Sequence, residues 1–241
     1  MTEPRIRSDT VKTLAAGLGA EACGIASVER FDGAPAGFHP TEVWPDCRSV
    51  VVFLKSMPAE VLLAGLPVPY THAASLMYAE LDRLGLDLCR ALEARGVRAL
   101  PVPCDTPYVH WEPERSHGMG VLSMRHAARL AGLGILGRNT LLIHPTFGNR
   151  VYIGAVLMAE NLEADPLVDD FRCPARCRKC LEACEPKALD GVTVDQSRCR
   201  AHSFARVGRG FDLYRCCECR RACPLREGRP RKRDAPHRRE G

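Results

Sequence analysis

The residues that first demand a chemistry are the cysteines, because nine of the thirteen fall between Cys173 and Cys223. The stretch reads CPARCRKCLEAC, then a lone Cys199, then CCECRRACP. Cys173, Cys177, Cys180 and Cys184 are separated by three, two and three residues, and Cys216, Cys219 and Cys223 by two and three, with Pro224 following. Thiolates at short, regular intervals in a chain with no apolar signal core in its opening MTEPRIRSDT hold metal rather than pair as disulfides.

The spacing chooses the metal. Two-cluster bacterial ferredoxins carry C-x2-C-x2-C-x3-C-P runs in which the fourth cysteine ligates the other cluster. Crossing the runs in that way joins Cys173, Cys177 and Cys180 with Cys223 in one [4Fe-4S] set. Cys216 and Cys219 then take Cys184 and Cys199 in the second, and Cys217 is left over. Structural zinc sites also use C-x2-C pairs, but the C-x2-C-x3-C triplet occurs here twice and favours iron–sulfur. Two departures mark the first set: its first gap is three residues rather than two, and Glu185 separates Cys184 from Pro186. Arg176, Arg178, Lys179, Arg220 and Arg221 flank the ligands, either to dock an acidic electron donor or to offset the clusters' negative charge. The spare thiols Cys23, Cys47, Cys89, Cys104 and Cys217 read as small buried apolar residues. The eight histidines are scattered without an H-x-x-x-H or similar pair, which argues against a separate mononuclear metal site.

The elements that must position these ligands come from an upstream region of α/β (α+β) pattern. In 241 residues with 46% apolar content a sizeable core is available without disulfides. Periodicity predicts a helix from Ser8 to Ala22, a strand from Cys23 to Val28, a Pro/Gly-rich loop from Phe31 to Pro45 and a strand over Ser49–Leu54. The run SVVVFL marks a strand covered on both faces. An amphipathic helix is expected over Ala73–Arg95, ended by Gly96, then a strand over Val97–Val102. Met124–Ala131 reads as helix, and Thr140–His144 and Arg150–Met158 as strands joined by a turn. Three segments are therefore expected: a cofactor and substrate domain over 1–160, a two-cluster ferredoxin-like domain over 161–228 entered through the acidic Glu160–Asp170 linker, and a basic disordered tail over 229–241. The net charge of +5 is concentrated in that tail, RPRKRDAPHRR. It reads as a solvated end, with nucleic acid or an acidic redox partner as the alternative. No apolar run approaches the ~20 residues of a membrane span, and a reducing cytoplasm is the expected compartment.

Gly132-Leu133-Gly134-Ile135-Leu136-Gly137 matches the dinucleotide fingerprint G-x-G-x-x-G by letter, but a helix precedes it and a strand follows, the inverse of the required context. It reads as a tight helix-to-strand loop. The surrounding text, AGLGILGRNTLLI followed by RVYIGAVL and the two-cluster cysteine set with its lone middle Cys199, resembles the epoxyqueuosine reductase family, cobalamin-dependent iron–sulfur enzymes related to the reductive dehalogenases. The resemblance extends upstream to Cys104-Asp105-Thr106-Pro107, with one residue fewer before the proline than the family pattern, and more weakly through Trp44–Leu54.

That resemblance implies a core like those of corrinoid-processing and nitroreductase-like proteins, base-off cobalamin under the ferredoxin module, and electrons passing from an external low-potential donor such as ferredoxin or flavodoxin through two clusters to cobalt, for reductive cleavage of a C–O or C–halogen bond. Asp105 stands where the family's proton-donating carboxylic acid lies; by itself it also suits a turn before Thr106-Pro107. Arg125, Asn139, Thr140, Asn149 and Arg150 are candidates to meet corrinoid amides or a flavin phosphate. The chain closes soon after its last cysteine, where the tRNA-acting reductases continue, so a small molecule or modified nucleoside is expected as substrate and tRNA is in doubt. No D-x-H-x-x-G cobalamin motif is present, in keeping with a family that binds the corrinoid without that histidine. Two other functions fit the same residues: an electron-transfer protein of ferredoxin type without cobalamin, and a flavin-binding reductase. Substrate choice is assigned to the loop from Tyr108 to Val121.

Overall fold

In chain order the elements are α1 (Ser8–Gly17), β1 (Ala22–Ser27), α2 (Pro40–Val43), β2 (Ser49–Ser56), α3 (Ala59–Ala64), α4 (Pro67–Glu93), β3 (Ala99–Val102), β4 (His110–Glu112), β5 (His117–Met119) and α5 (Met124–Leu130). They continue with β6 (Ile135–Leu136), β7 (Leu142–Ile143), β8 (Val151–Met158), α6 (Lys179–Glu182), α7 (Gln196–Ser203), β9 (Phe204–Arg206), β10 (Asp212–Tyr214) and α8 (Glu218–Arg221). This is a computed structural model, and it describes residues 5–210 and 212–229. The basic tail expected over 229–241 lies, apart from Arg229, outside the described residues.

The central sheet has the order β1-β2-β8-β3, with every neighbouring pair antiparallel. The buried run in β2 is explained by helices on both faces. Val51 and Phe53 face α4 and α1 in a core with Ile25, Leu81, Leu88 and Val156, while Val50, Val52 and Leu54 face α5 with Ala127, Ile153 and Leu157. Alternate residues of a strand point to opposite faces, so both sets must be apolar. The helix α4 presents Tyr70, Ala74, Met77, Leu81, Leu84, Leu88 and Leu92 to the sheet, a stripe at steps of three and four.

Boundaries differ from expectation where local chemistry intervenes. α1 ends at Gly17 rather than Ala22, because the chain turns through Gly19 at φ +96° to enter β1. α4 starts six residues earlier than periodicity indicates, at Pro67, where a proline in the first turn has no hydrogen bond to lose. The expected strand at Thr140–His144 shrinks to Leu142–Ile143, with Thr140 at φ +61° in the preceding turn. The Phe31–Pro45 loop contains α2, whose first turn is capped by His39 and Glu42. The Tyr108–Val121 loop folds into the β4–β5 hairpin.

The acidic segment after β8 is strapped to the sheet. The Asp165 carboxylate accepts from the Ile25 amide at 2.8 Å and from Lys12 Nζ at 2.5 Å, and the Asp165 amide donates back to the Ile25 carbonyl at 2.9 Å. Ser49 Oγ donates to the Glu160 carbonyl and accepts from the Leu162 amide. The Asp165–Ile25 pair meets the β1 edge at its middle, where its backbone groups would otherwise be open.

The cysteine-rich segment returns over the core. Tyr214 in β10 donates its amide to Thr71 Oγ1 of α4 at 2.8 Å, and the Tyr214 ring meets Tyr70 edge-on at 6.0 Å. α6 and α8 are single turns that pack on each other, and each carries a cysteine of the C-x2-C spacing, Cys180 and Cys219.

Candidate functional site

All thirteen cysteines are free. Their electrostatic neighbours fall into two quartets. Cys223 has Cys173, Cys180 and Cys177 beside it, and Cys180 has Cys173 and Cys177. Cys219 faces Cys199, Cys216 and Cys184, and Cys199 faces Cys184 and Cys216. The fold thus gathers the same two groups of four that the crossed spacing defines. Burial, helped by the neighbouring thiols, pushes the Cys219 thiol up to about 12 and the Cys223 thiol up to about 11. Burial also raises Cys23 to about 12 and Cys47 and Cys89 to about 11, which suits inert, packed thiols.

A cavity of about 870 Å³ lies between α4, the 103–120 segment with its hairpin, the start of α5 and the 139–141 turn on one side and the cysteine-rich segment on the other. The whole of one quartet, Cys184, Cys199, Cys216 and Cys219, lines it; no cysteine of the other quartet does. Asp105, Arg125, Asn139 and Thr140 line the same cavity. A smaller lobe of about 290 Å³ shares Asp105 and Arg125 and adds Asn149. Of the six residues expected at a cofactor or catalytic site, only Arg150 borders neither lobe; it donates to the Met57 carbonyl instead.

Each of the other five has a defined hold. Asp105 Oδ1 accepts from the Tyr108 hydroxyl at 2.9 Å, and that hydroxyl accepts from Arg200 Nη2 at 3.2 Å. Arg200 is next to Cys199 on α7 and stacks over Tyr108 and Trp111 at 5.4 and 4.9 Å. Arg125 donates to the Thr140 carbonyl and hydroxyl at 2.8 and 2.7 Å, so Thr140 orients the guanidinium across the cavity. Burial, and then the nearby Arg220, lower the Arg125 pKa. Asn139 and Asn149 are both buried, and each donates to the cysteine loop: Asn139 Nδ2 to the Cys219 carbonyl and Asn149 Nδ2 to the Arg220 carbonyl, both at 3.1 Å.

Arg220 is the site residue that sequence reasoning passed over as a mere charge beside a ligand. Its guanidinium lies over the Tyr152 ring at 5.0 Å. Burial alone would lower its pKa, but the Tyr70, Tyr152 and Tyr78 phenols and the Cys219 thiol around it hold it above its ordinary value. Two buried atoms of residues that border the smaller lobe have no protein partner, the donor Arg220 Nη1 and the acceptor Asn149 Oδ1. Buried polar groups left unpaired are costly. Nothing in the spacing signalled Arg220, because its surroundings come from α4 and β8. A second group also escaped the sequence reading: the ligand atoms of His110, Glu112 and His117 lie within 4.8 Å of one another. In sequence they form only H-x-E followed by a histidine five residues later.

Against known proteins, no family model matches the chain. Curated relatives do. Over 121 residues, 45% of its length, the chain is 34% identical to an epoxyqueuosine reductase of Staphylococcus aureus, and over 122 residues it is 32% identical to that of Bacillus subtilis. Just under half of the chain is similar in sequence to epoxyqueuosine reductases. Its matched part spans 31% of the length of either protein. The fold is also shared: epoxyqueuosine reductase from Streptococcus thermophilus superposes with a TM-score of 0.62 at 19% identity, covering 91% of this chain and 66% of that one. A catabolic reductive dehalogenase superposes equally well, with a TM-score of 0.62 at 19% identity over 91% of this chain and 32% of its own. The mixed α/β architecture is therefore common to both groups. Among the described residues no helix is long and apolar enough to cross a membrane.

Proposed function

We propose that the chain is an iron–sulfur reductase that delivers electrons through two [4Fe-4S] clusters to a corrinoid held in the 870 Å³ cavity, for reductive cleavage of a substrate bond. The observation that carries this reading is that one complete cysteine quartet lines the same cavity as Asp105, Arg125 and Asn139. The donor set of eight thiolates in two groups of four fits iron–sulfur clusters, and the unpaired Asn149 Oδ1 and Arg220 Nη1 fit the amide arms of a corrinoid. Cobalamin would supply a low-potential metal able to break a C–O or C–halogen bond.

The chain's own residues have distinct tasks. Cys173, Cys177, Cys180 and Cys223 hold the cluster that receives electrons, since that quartet stays off the cavity and is rimmed by exposed Arg172, Arg176, Arg178 and Lys179. Such a rim suits an acidic external donor of ferredoxin or flavodoxin type. Cys184, Cys199, Cys216 and Cys219 hold the cluster next to the cavity. Asp105 donates the proton that the cleaved bond requires, with Tyr108 and Arg200 fixing its carboxylate. Arg125, positioned by Thr140, and Arg220 bring positive charge to the cavity wall. One solved structure of similar fold is an epoxyqueuosine reductase with an epoxyqueuosine-modified tRNA stem loop; for this chain the substrate is a small molecule or a modified nucleoside, met by the stacked Tyr108 and Trp111.

The test is anaerobic reconstitution, iron analysis and a visible spectrum titrated with cobalamin. About eight irons per chain and conversion of added cobalamin to its base-off spectrum are expected. Eight irons with an unchanged corrinoid spectrum would sink the cobalamin reading and leave the electron-transfer or flavin readings.

A further inference from the structure

The β4–β5 hairpin carries a donor set that the cluster and cavity chemistry does not use. Residues two apart on a strand share a face, and so do residues paired across strands. Glu112 pairs with His117 and His110 with Met119, so His110, Glu112 and His117 stand together on one face of the hairpin. Their ligand atoms all lie within 4.8 Å of one another, and His110 Nε2 is 3.1 Å from Glu112 Oε1. His117 is half-buried and lines the 870 Å³ cavity; His110 and Glu112 lie further towards solvent.

The platform beneath the triad is fixed independently of any ligand. Trp111 on the opposite face stacks on Tyr108 at 5.4 Å, and it crosses Gly118 so closely that a Cβ there would stand 2.9 Å from the indole. Gln196 of α7 reads both backbone groups of Gly118, donating to its carbonyl and accepting from its amide, each at 3.2 Å. Ser197 Oγ donates to the Arg115 carbonyl in the turn. The hairpin is thereby anchored to the helix that also carries Cys199.

We propose that His110, Glu112 and His117 form a mononuclear site for a divalent first-row transition cation at the rim of the cavity. Two imidazoles and one carboxylate suit Zn²⁺ or Fe²⁺ better than Mg²⁺ or Ca²⁺, which take mainly oxygen ligands. Three protein ligands leave a coordination position open for water or for a substrate oxygen, so the cation would orient substrate as a Lewis acid where it enters. The competing use of these side chains is a solvent-exposed His110–Glu112 ion pair, with Arg115 Nη1 3.5 Å from the other carboxylate oxygen. An ion pair requires neither the third ligand nor its convergence with the other two. The site depends only on the hairpin, so it stands whether or not a corrinoid binds.

The experiment uses the full chain with its clusters reconstituted, so that the eight cluster thiolates are occupied. Zn²⁺ is offered by equilibrium dialysis and counted by metal analysis, and Co²⁺ is titrated as a spectroscopic probe. One zinc per chain beyond the iron is expected, with cobalt bands of nitrogen and oxygen ligation and no strong thiolate charge-transfer absorption. Glu112→Gln and His117→Ala should each weaken binding at least ~10-fold, since even outer partners of metal ligands are worth that much. His110→Ala, at a half-exposed position that the fold does not need, should do the same with an unchanged melting curve. Arg115→Ala should bind as tightly as the parent or more so, because it removes a competitor for the carboxylate. Failure of the parent protein to take up zinc, equal binding by the three ligand variants, or a cobalt spectrum dominated by thiolate would each overturn the proposal.

Discussion

Asn139 clips the cysteine loop to the turn between β6 and β7, and deleting that clip has a calculable cost. The side chain is 2% exposed; its Nδ2 donates to the Cys219 carbonyl at 3.1 Å while its Oδ1 accepts from the Leu141 amide at 3.3 Å. Asn139→Ala leaves the Cys219 carbonyl without its side-chain donor. Such an unsatisfied group costs about 1–3 kcal/mol. At about 2 kcal/mol, a domain of this size loses roughly 4–8 °C in Tm. Asn139→Asp is the sharper test. It keeps nearly the same shape and the acceptor for Leu141, but it turns a carboxylate towards a carbonyl oxygen. At pH 8 it should destabilise at least as much as the alanine variant, although it fills the space. The assay is thermal unfolding of anaerobically purified protein, followed by circular dichroism. A chelator challenge adds a local readout, because Cys219 belongs to only one quartet: the variant should release one iron pool faster and leave the other unchanged. An aspartate variant that melts with the parent protein would refute the reasoning, since the amide donor would then contribute nothing.

Two further outcomes are expected. His144 Nδ1 accepts from the Thr146 and Phe147 amides at 3.1 and 3.3 Å, and burial, opposed weakly by Glu21, holds its pKa down to about 4 from 6.5. The folded state therefore keeps this imidazole neutral while the unfolded chain protonates it; the stability it contributes is complete above pH 6.5 and is lost as pH falls towards 4. Urea titrations at pH 7 and pH 5 should show that loss, and His144→Asn, which retains an acceptor but does not titrate, should shrink it; an unchanged pH dependence would remove His144 as its cause. Gly148 sits at φ +64°, and a Cβ there would lie 2.1 Å from the Arg226 carbonyl oxygen. Gly148→Ala should cost at least ~1–3 kcal/mol through strain alone and expose the 226–229 segment to protease, whereas Gly33→Ala, with nothing within 4 Å, should be neutral or slightly stabilising. Equal melting of the two variants would show that the close backbone approach is not a constraint.

The covered strand at Ser49, the long helix before Gly96 and the helix-then-strand setting of the glycine motif were legible because each is a local pattern. A strand buried on two faces must be apolar at successive positions, and a helix on a sheet must repeat at three and four. The glycine motif is occupied by the chain itself: Gly132, at φ +73°, lies against the Pro166 carbonyl. Strand order was not legible in the same way. β8 inserts between β2 and β3 although β3 and the hairpin separate it from β2 in sequence, and only the pairing of distant edges decides that. The acidic segment after β8 looked like a tether because Asp165 finds its partners, Lys12 and Ile25, some 140 residues away or more.

Cysteine spacing, read through the crossed pattern of two-cluster ferredoxins, suggested the two quartets. It said nothing of which quartet meets a cavity. The tertiary structure decided that, by packing α7 against β5 and β9 and α8 against α3 and α6, with Arg220 of α8 reaching Tyr152 of β8. It likewise decided that Asn139 and Asn149 hold the cysteine loop, that Arg150 stays off the cavity, that Arg220 sits among tyrosines, and that His110, Glu112 and His117 converge. Each of these depends on distances between residues far apart in the chain or across a hairpin whose register its sequence did not advertise. Ligand type is a property of side chains and travels with the sequence; burial, orientation and shared space are properties of packing and arise only when the chain closes on itself.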